Sequence, residues 1–430
     1  MKKSSIWKAS GVVLASVALL LLGACGKSSG ASKSGSNSKT MQILLSEEPE
    51  KGDALNAALQ KWAKESGNKV DEIVIPYDDQ RTKFPSMVKN HDVPDLVSTT
   101  FLTQLFPDEF VNLSKKIDTT KFDQTALKIV SQNYNTNKVL EVPNQYTITC
   151  YYVNKDAFKK AGIAVPSEND PWTLNELYEN AAKLKKNGGV KYGLAVDFSR
   201  ARYDNLMYSN GGSMTERSGK KFKVAINSDK NVKTLNQFVK ANESGVMPKV
   251  IWTGGSSDNP LDYFKNGDVG IYMSGSWSYT QLKNEVSDFK FAVMPSPKGS
   301  VQQSAITGGA GLAIPKDAKN SKLALSFIKW LYKKDNYLEY IKNDHGLSFI
   351  KGWDYKSNDA QTDADYKLMH DEMSNVSKQF LVDEESEWRT WLDNEYRDAI
   401  KNAVSGEVTA KQTLDTFAKS LSEKSGWKIE

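Results

Sequence analysis

The sequence of 430 residues has only two cysteines, Cys25 and Cys150. A disulfide framework is therefore excluded as the main staple, and folding must rest on the size of the core. Histidine is nearly as scarce: His91, His345 and His370 lie far apart, in no metal-ligand spacing. No HExxH, no CxxC and no GxxxxGKS/T occurs. Metalloprotease, thioredoxin-like and P-loop ATPase chemistry thus lack their sequence marks. Charge of one sign is not in excess either, since the formal net charge is +5. Nor is there a basic stripe interleaved with aromatics, so neither nucleic acid nor a membrane surface is expected to be bound through charge.

What is present points to an exported globular protein. Hydrophobic residues make up 39% and charged residues 25% of the chain, an ordinary soluble composition. A chain this long exceeds one ordinary core, so two lobes are expected. Residues 1–24 have a basic start followed by an apolar run at 11–22. That run is too short to span a bilayer and suits a signal peptide. Without Lys2, Lys3 and Lys8 the net charge falls from +5 to +2. Leu22-Gly23-Ala24-Cys25 resembles the lipobox of bacterial lipoproteins, which implies cleavage before Cys25 and acylation of its thiol. Residues 26–39 are Gly, Ser and Lys with almost nothing apolar. Together with Cys25 they read as a lipidated flexible tether, 25–39, with a mean span of about 20 Å. Cys150, inside the apolar run 148–153, is expected to be a buried small hydrophobe.

From residue 41 the chain alternates strand and helix. The expected strands are 41–45, 70–75 and 96–100, with an amphipathic helix through Leu55, Leu59 and Trp62 and another around Met87. That order implies crossover units and a parallel sheet. Residues 142–146 read as an irregular extended passage before a dense strand at 148–153. Thr173 with Glu176 three residues on forms a capping box, and the helix it opens buries Leu174, Leu177, Tyr178, Ala181 and Leu184. Residues 192–196 form a strand, and 232–244 a helix closed by Gly245. The passage 261–277 reads helix end, turn, strand, turn: Asn266-Gly267 closes a helix, and Val269, Ile271 and Met273 alternate along a strand. Trp277 comes directly after the turn at Gly275-Ser276. Residues 306–315 form a glycine-broken strand, and the tail from Asp363 is mostly helical.

Carboxylates are plentiful, but no catalytic pairing can be read from them, and no enzyme is expected. Trp172, Trp252 and Trp277 sit beside Pro, Gly or Ser. A tryptophan so placed suits either a core or the apolar face of a sugar ring whose hydroxyl rim is met by short polar groups. Trp62 and Trp330 read as core. In open α/β sheets the ligand crevice lies beyond the carboxyl ends of the strands. Glu47 and Glu48 come just after the first strand, and Ser98, Thr99 and Thr100 end the third.

Several passages together resemble the extracytoplasmic solute-binding proteins of bacterial ABC importers, the group containing maltose- and multiple-sugar-binding proteins. They are Lys83-Phe84-Pro85, Pro94-Asp95-Leu96, Val142-Pro143, Tyr151-Tyr152-Val153-Asn154-Lys155-Asp156-Ala157-Phe158 and Pro171-Trp172-Thr173-Leu174. In the same order come Asn210-Gly211-Gly212, Phe264-Lys265-Asn266-Gly267, Gly275-Ser276-Trp277, Pro295-Ser296-Pro297-Lys298-Gly299 and Gly308-Gly309.

The resemblance implies an α/β, two-lobed periplasmic-binding-protein-like fold of type II, with a ligand cleft between lobes joined by a hinge. Lobe 1 would take residues 40–145 and 304–345, and lobe 2 residues 146–303 and 346–430. It implies ligand contacts at Glu47, Glu48, Ser98, Thr99, Thr100, Gln145, Tyr146, Asp197, Trp252, Trp277, Gly308 and Gly309. It further implies a carbohydrate as ligand, no cofactor and no metal. The partners would be membrane permease subunits with a separate cytoplasmic ATPase. A lipid-anchored monomer on the outer face of the cytoplasmic membrane, of Gram-positive type, is expected. Two alternatives stay open: a phosphorylated polyol or other solute held by arginines such as Arg200, Arg202, Arg389 and Arg397, and a surface glycan hydrolase with two carboxylates about 5–9.5 Å apart.

Overall fold

The computed structural model describes residues 39–430, except 47, 50–52, 132–137, 255–258, 345 and 355, and the side chain of 78. The leader, Cys25 and nearly all of the tether, as well as Glu47, lie outside the described residues. Among the described residues ten strands are formed: β1 Thr40–Leu45, β2 Lys69–Val74, β3 Leu96–Thr99, β4 Glu141–Asn154, β5 Tyr192–Val196, β6 Thr215–Ser218, β7 Lys221–Val224, β8 Val269–Gly275, β9 Phe291–Met294 and β10 Thr307–Ala313. Eight belong to one sheet in the order β2-β1-β3-β10-β4-β8-β5, with β9 also on β4. β6 and β7 form a separate hairpin.

The sheet is mixed rather than parallel throughout. β1 pairs in parallel with β2 and β3, as crossover helices require, and β5 pairs in parallel with β8. β10 runs antiparallel to both β3 and β4. β4 is common to two halves of the sheet. Its first part pairs with β10, and from Thr149 onward it pairs with β8 and β9.

The passage 142–146, expected to be irregular, is therefore the start of one strand of 14 residues. Pro143 is tolerated because the register shifts there. Gln145 faces Ala310 and Pro143 faces Gly311, so Asn144 bulges out of the ladder.

Helices cover both halves. The helix Ala54–Ser66 is capped by Asp53, whose carboxylate accepts the Asn56 N–H at 2.7 Å, and it ends on Gly67 at φ 69°. It buries Leu59 and Trp62, with Trp62 edge-on to Phe327 at 5.6 Å. The helix Leu174–Asn187 opens with the expected capping box: the Thr173 N–H donates to Glu176 at 2.7 Å, and the Glu176 N–H to the Thr173 hydroxyl at 3.2 Å. Gly193 on β5 lets this helix pack close, since a Cβ there would lie 1.8 Å from the Ala181 carbonyl oxygen.

Every residue of β8 is buried, both the Val269-Ile271-Met273 set and the set between them. Leu184 of the helix Leu174–Asn187 against Gly270, and the rings of Tyr152 and Phe264 against Tyr272, help to keep β8 from solvent. Cys150 is buried, and burial pushes its thiol far above the usual range, as befits an inert core side chain. No helix among the described residues is long and apolar enough to cross a membrane.

Candidate functional site

The parallel strands β5 and β8 end side by side, and the groups gathered at their ends are polar. The Asp197 N–H donates to the Met273 carbonyl at 3.1 Å, which ties the end of β5 to β8. The Asp197 carboxylate accepts from the Tyr272 hydroxyl at 2.8 Å and from the Ser274 hydroxyl. Burial raises its pKa, and Ser274 and Arg202 act against that rise.

Trp277 then folds back over the strand end. A Cβ on Gly275 would lie 1.8 Å from the indole ring, so only glycine admits this fold-back. The Arg202 guanidinium sits 5.0 Å from the centroid of the same ring, a cation–π contact. Arg202 is only 5% exposed and donates to the Ser274 carbonyl and to the Thr149 hydroxyl, the latter at 3.3 Å. The indole is thus held from β8, from β4 and from the helix Arg200–Ser209, yet Trp277 stays 42% exposed. A fixed, half-open aromatic side chain beside a carboxylate and a guanidinium offers an apolar face and hydrogen-bonding groups together.

A second cluster adjoins the first turn of the helix Arg200–Ser209. Arg200 donates to Asp204 at 2.9 Å and to Asp393 at 2.7 Å, and lies 3.5 Å from Glu384. Arg389 donates to Glu384 at 3.3 Å and to Asp393 at 3.1 Å. Arg81 reaches Asp393 from the helix Tyr77–Lys89 at 2.8 Å. Burial pushes the Asp393 carboxyl up, but Arg389, Arg200 and Arg81 together hold it well below the usual carboxylate range. Burial raises Asp204 to about 7, with Arg200 opposing it. Arg200–Asp204 and Arg389–Asp393 are i,i+4 pairs that spacing can signal, but nothing local signals their union, because Arg81 and Asp393 stand 312 positions apart.

The residues expected at the site fall into separate groups. Asp197 and Trp277 meet through Ser274 and Arg202. Gln145, Tyr146, Gly308 and Gly309 lie together where β4 and β10 pair, and Thr149, the partner of Arg202, is further along the same β4. Gln145 donates to Asp344 at 3.1 Å, whereas Tyr146 is buried in the core. Gly309 has φ 150°, and a Cβ there would meet the Gln145 carbonyl oxygen at 2.1 Å, so close strand approach already requires this glycine. Gly308 is half-buried, with room for a Cβ 3.5 Å from the Thr147 hydroxyl. The Thr99 hydroxyl accepts the Phe101 and Leu102 N–H groups at 3.2 and 3.0 Å, a local cap. Ser98 pairs with Leu312, Thr100 is half-buried, and Glu48 is exposed.

Trp252 is wholly buried. Its ring is met edge-on by Phe198 and Phe238, and its N–H donates to the Val196 carbonyl at 3.3 Å. It therefore presents no face to a ligand in this structure. A separate open groove of about 980 Å³ lies at the opposite end of the helix Arg200–Ser209, lined by Glu168, Tyr208, Glu216, Lys298, Gln302 and Lys378. None of the expected site residues lines it.

Comparison with known proteins agrees with this architecture. Residues 46–337 match the model of the bacterial extracellular solute-binding protein family. The sn-glycerol-3-phosphate-binding periplasmic protein UgpB of Escherichia coli K12 is 26% identical over 329 residues, covering 72% of each chain. The ABC substrate-binding protein of Listeria monocytogenes, solved with cycloalternan, superposes with a TM-score of 0.75 at 18% identity, over 91% of this chain and 100% of that one. Maltose-bound MalE3 of T. maritima gives 0.74 at 18% identity, over 90% and 100%. UgpB of Mycobacterium tuberculosis, in complex with glycerophosphocholine, gives 0.72 at 17% identity, over 89% and 98%. The fold is thus the two-lobed one of periplasmic binding proteins, and the chain belongs to the bacterial extracellular solute-binding protein family, the solute-capturing components of ABC importers.

Proposed function

We propose that this protein captures a carbohydrate, an oligosaccharide in particular, by lobe closure and delivers it to an ABC permease without chemical change. The observation that carries this reading is Trp277, half-exposed and fixed at the end of β8 beside Asp197 and Arg202. A sugar ring stacks on the indole while its hydroxyls meet the carboxylate and backbone groups. Contacts made only when the lobes are closed are what shift the equilibrium towards closure. Lobe 1 comprises 40–145 and 304–345 and lobe 2 comprises 146–303 and 346–430. The chain is held outside the cytoplasmic membrane by lipid on Cys25, and its permease is driven by a separate ATPase.

A phosphorylated polyol is the second reading. It is favoured by the likeness to the sn-glycerol-3-phosphate-binding protein of E. coli and by Arg202, which has no carboxylate within ion-pair distance among the described residues. Against it, Arg200 and Arg389, two of the four arginines expected to serve, are already matched by Asp204, Glu384 and Asp393, as is Arg81, so these guanidiniums have no free charge to offer a phosphate.

A thermal-shift screen with maltose, mannotriose, tagatose and sn-glycerol-3-phosphate separates the two. A ligand at 100 times its Kd stabilises the protein by about 2.7 kcal/mol. The expected result is a rise in Tm with at least one carbohydrate and none with the phosphate ester. A shift with sn-glycerol-3-phosphate alone would replace the first reading by the second.

A further inference from the structure

The helix Tyr77–Lys89, which carries Arg81, connects β2 to β3 and sends Phe84 into a core shared with Leu44, Val97 and Phe101. Arg81 is anchored in that half, with its guanidinium 4.5 Å from the centre of the Phe101 ring. Asp393 belongs to the other half. Its helix, Arg389–Ser405, packs against the helices Arg200–Ser209, Asp229–Glu243 and Val250–Thr253 around β5. The Arg81–Asp393 bond of 2.8 Å therefore ties the two halves directly, and its side chains are only 18% and 10% exposed.

Asp393 is not held by Arg81 alone. One carboxylate oxygen accepts from Arg200 and Arg389, within its own half, and the other accepts from Arg81. The chain breaks helical geometry at Leu392, φ −142° and ψ 29°, immediately before Asp393. The carboxylate is thus pre-set by two arginines of one half and offers a single oxygen to the other. A second tie between the halves, Lys128 to Glu385 at 2.8 Å, is far more solvated, at 48% and 30% exposure.

We propose that Arg81 and Asp393 are positioning residues for the capture step: their bond fixes the separation of the two halves before any solute contributes to it. Removing Arg81 leaves Asp393 with both of its other arginines, so the carboxylate is not abandoned in a buried place. What is lost is the tie between the halves on the Asp393 side; the bond from the Thr280 hydroxyl to the Asp344 carbonyl at 2.7 Å, also between the halves, remains. The exposed Lys128–Glu385 pair is too screened to replace the lost tie. A solute arriving at Trp277 then meets halves already held together on the Asp393 side, and less of its binding free energy goes into bringing them together.

The inference takes its meaning from the capture reading above, but its test needs no solute, so failure of the carbohydrate screen and failure of this proposal are separate results. Small-angle X-ray scattering of the full chain, without added solute, is compared for the parent, Arg81→Gln, Arg81→Lys and Lys128→Gln. The expected result is a larger radius of gyration for Arg81→Gln, a smaller increase for Arg81→Lys, which keeps the charge but loses the planar fork, and no change for Lys128→Gln. Superimposable curves for the parent and Arg81→Gln would overturn the proposal, as would equal expansion of Lys128→Gln and Arg81→Gln. If Arg81→Gln does not fold, Arg81→Lys decides alone: expansion supports the proposal and an unchanged curve overturns it.

Discussion

Glu141, at the start of β4, gives a sharp test of how the sheet is built. Its side chain is wholly buried and accepts from the Thr103 hydroxyl at 2.6 Å. Gly311 on β10 makes room for it, since a Cβ there would lie 2.4 Å from the Glu141 side chain. Burial raises its pKa to about 8, and the bonds from Thr103 and Gly311 offset only part of the rise. In the unfolded chain the same group titrates at about 4.3. The native state therefore holds one proton more than the unfolded state between those values, and stability falls as pH rises through that window. The contribution is fully present below about pH 4.3 and lost by about pH 8. At about 1.4 kcal/mol per pH unit it amounts to about 5 kcal/mol over the whole window. Between pH 5 and pH 7 the parent should lose about 3 kcal/mol relative to Glu141→Gln, which has no proton to lose. Urea unfolding of both proteins at several pH values measures this difference directly. Parallel stability curves across pH 5–7 would refute the reasoning and mean that Glu141 is ionised in the native state.

Trp252→Ala is expected to destabilise the protein by about 3–5 kcal/mol, read by urea unfolding, because the indole fills a core between Phe198 and Phe238. Thr173→Ala removes the hydroxyl that accepts the Glu176 N–H, leaves the backbone N–H of residue 173 still donating to Glu176, and should cost about 1 kcal/mol by the same measurement; no loss would mean that the helix Leu174–Asn187 does not depend on this cap bond.

Local chemistry is the legible part of this chain. Thr173 and Glu176 announce a helix start by their spacing, and Gly67 closes the helix Ala54–Ser66 in left-handed geometry at φ 69°. Strand β5 is readable to the residue from its apolar run. Pairing partners are less so. The antiparallel return of β10 between β3 and β4 depends on contacts far apart in sequence, and local period says nothing about direction. Tryptophan context is ambiguous for the same reason. Trp252 and Trp277 both stand beside Gly or Ser, yet one is sealed by two phenylalanines and the other rests on Gly275 and Arg202 and stays 42% exposed. The arginine–carboxylate cluster around Asp393 is legible only in part: Arg200–Asp204 and Arg389–Asp393 have the i,i+4 spacing of a helix pair, whereas the Arg200–Asp393 and Arg81–Asp393 pairs are made by the tertiary fold.

The most direct test of carbohydrate capture is calorimetric titration of the parent and Trp277→Ala with the carbohydrate that gives the largest thermal shift. One equivalent should bind the parent, and Trp277→Ala should bind at least about tenfold more weakly, a difference of about 1.4 kcal/mol. Equal affinity in the two proteins would contradict the placement of the sugar on Trp277, and heat from product formation would contradict capture without chemistry.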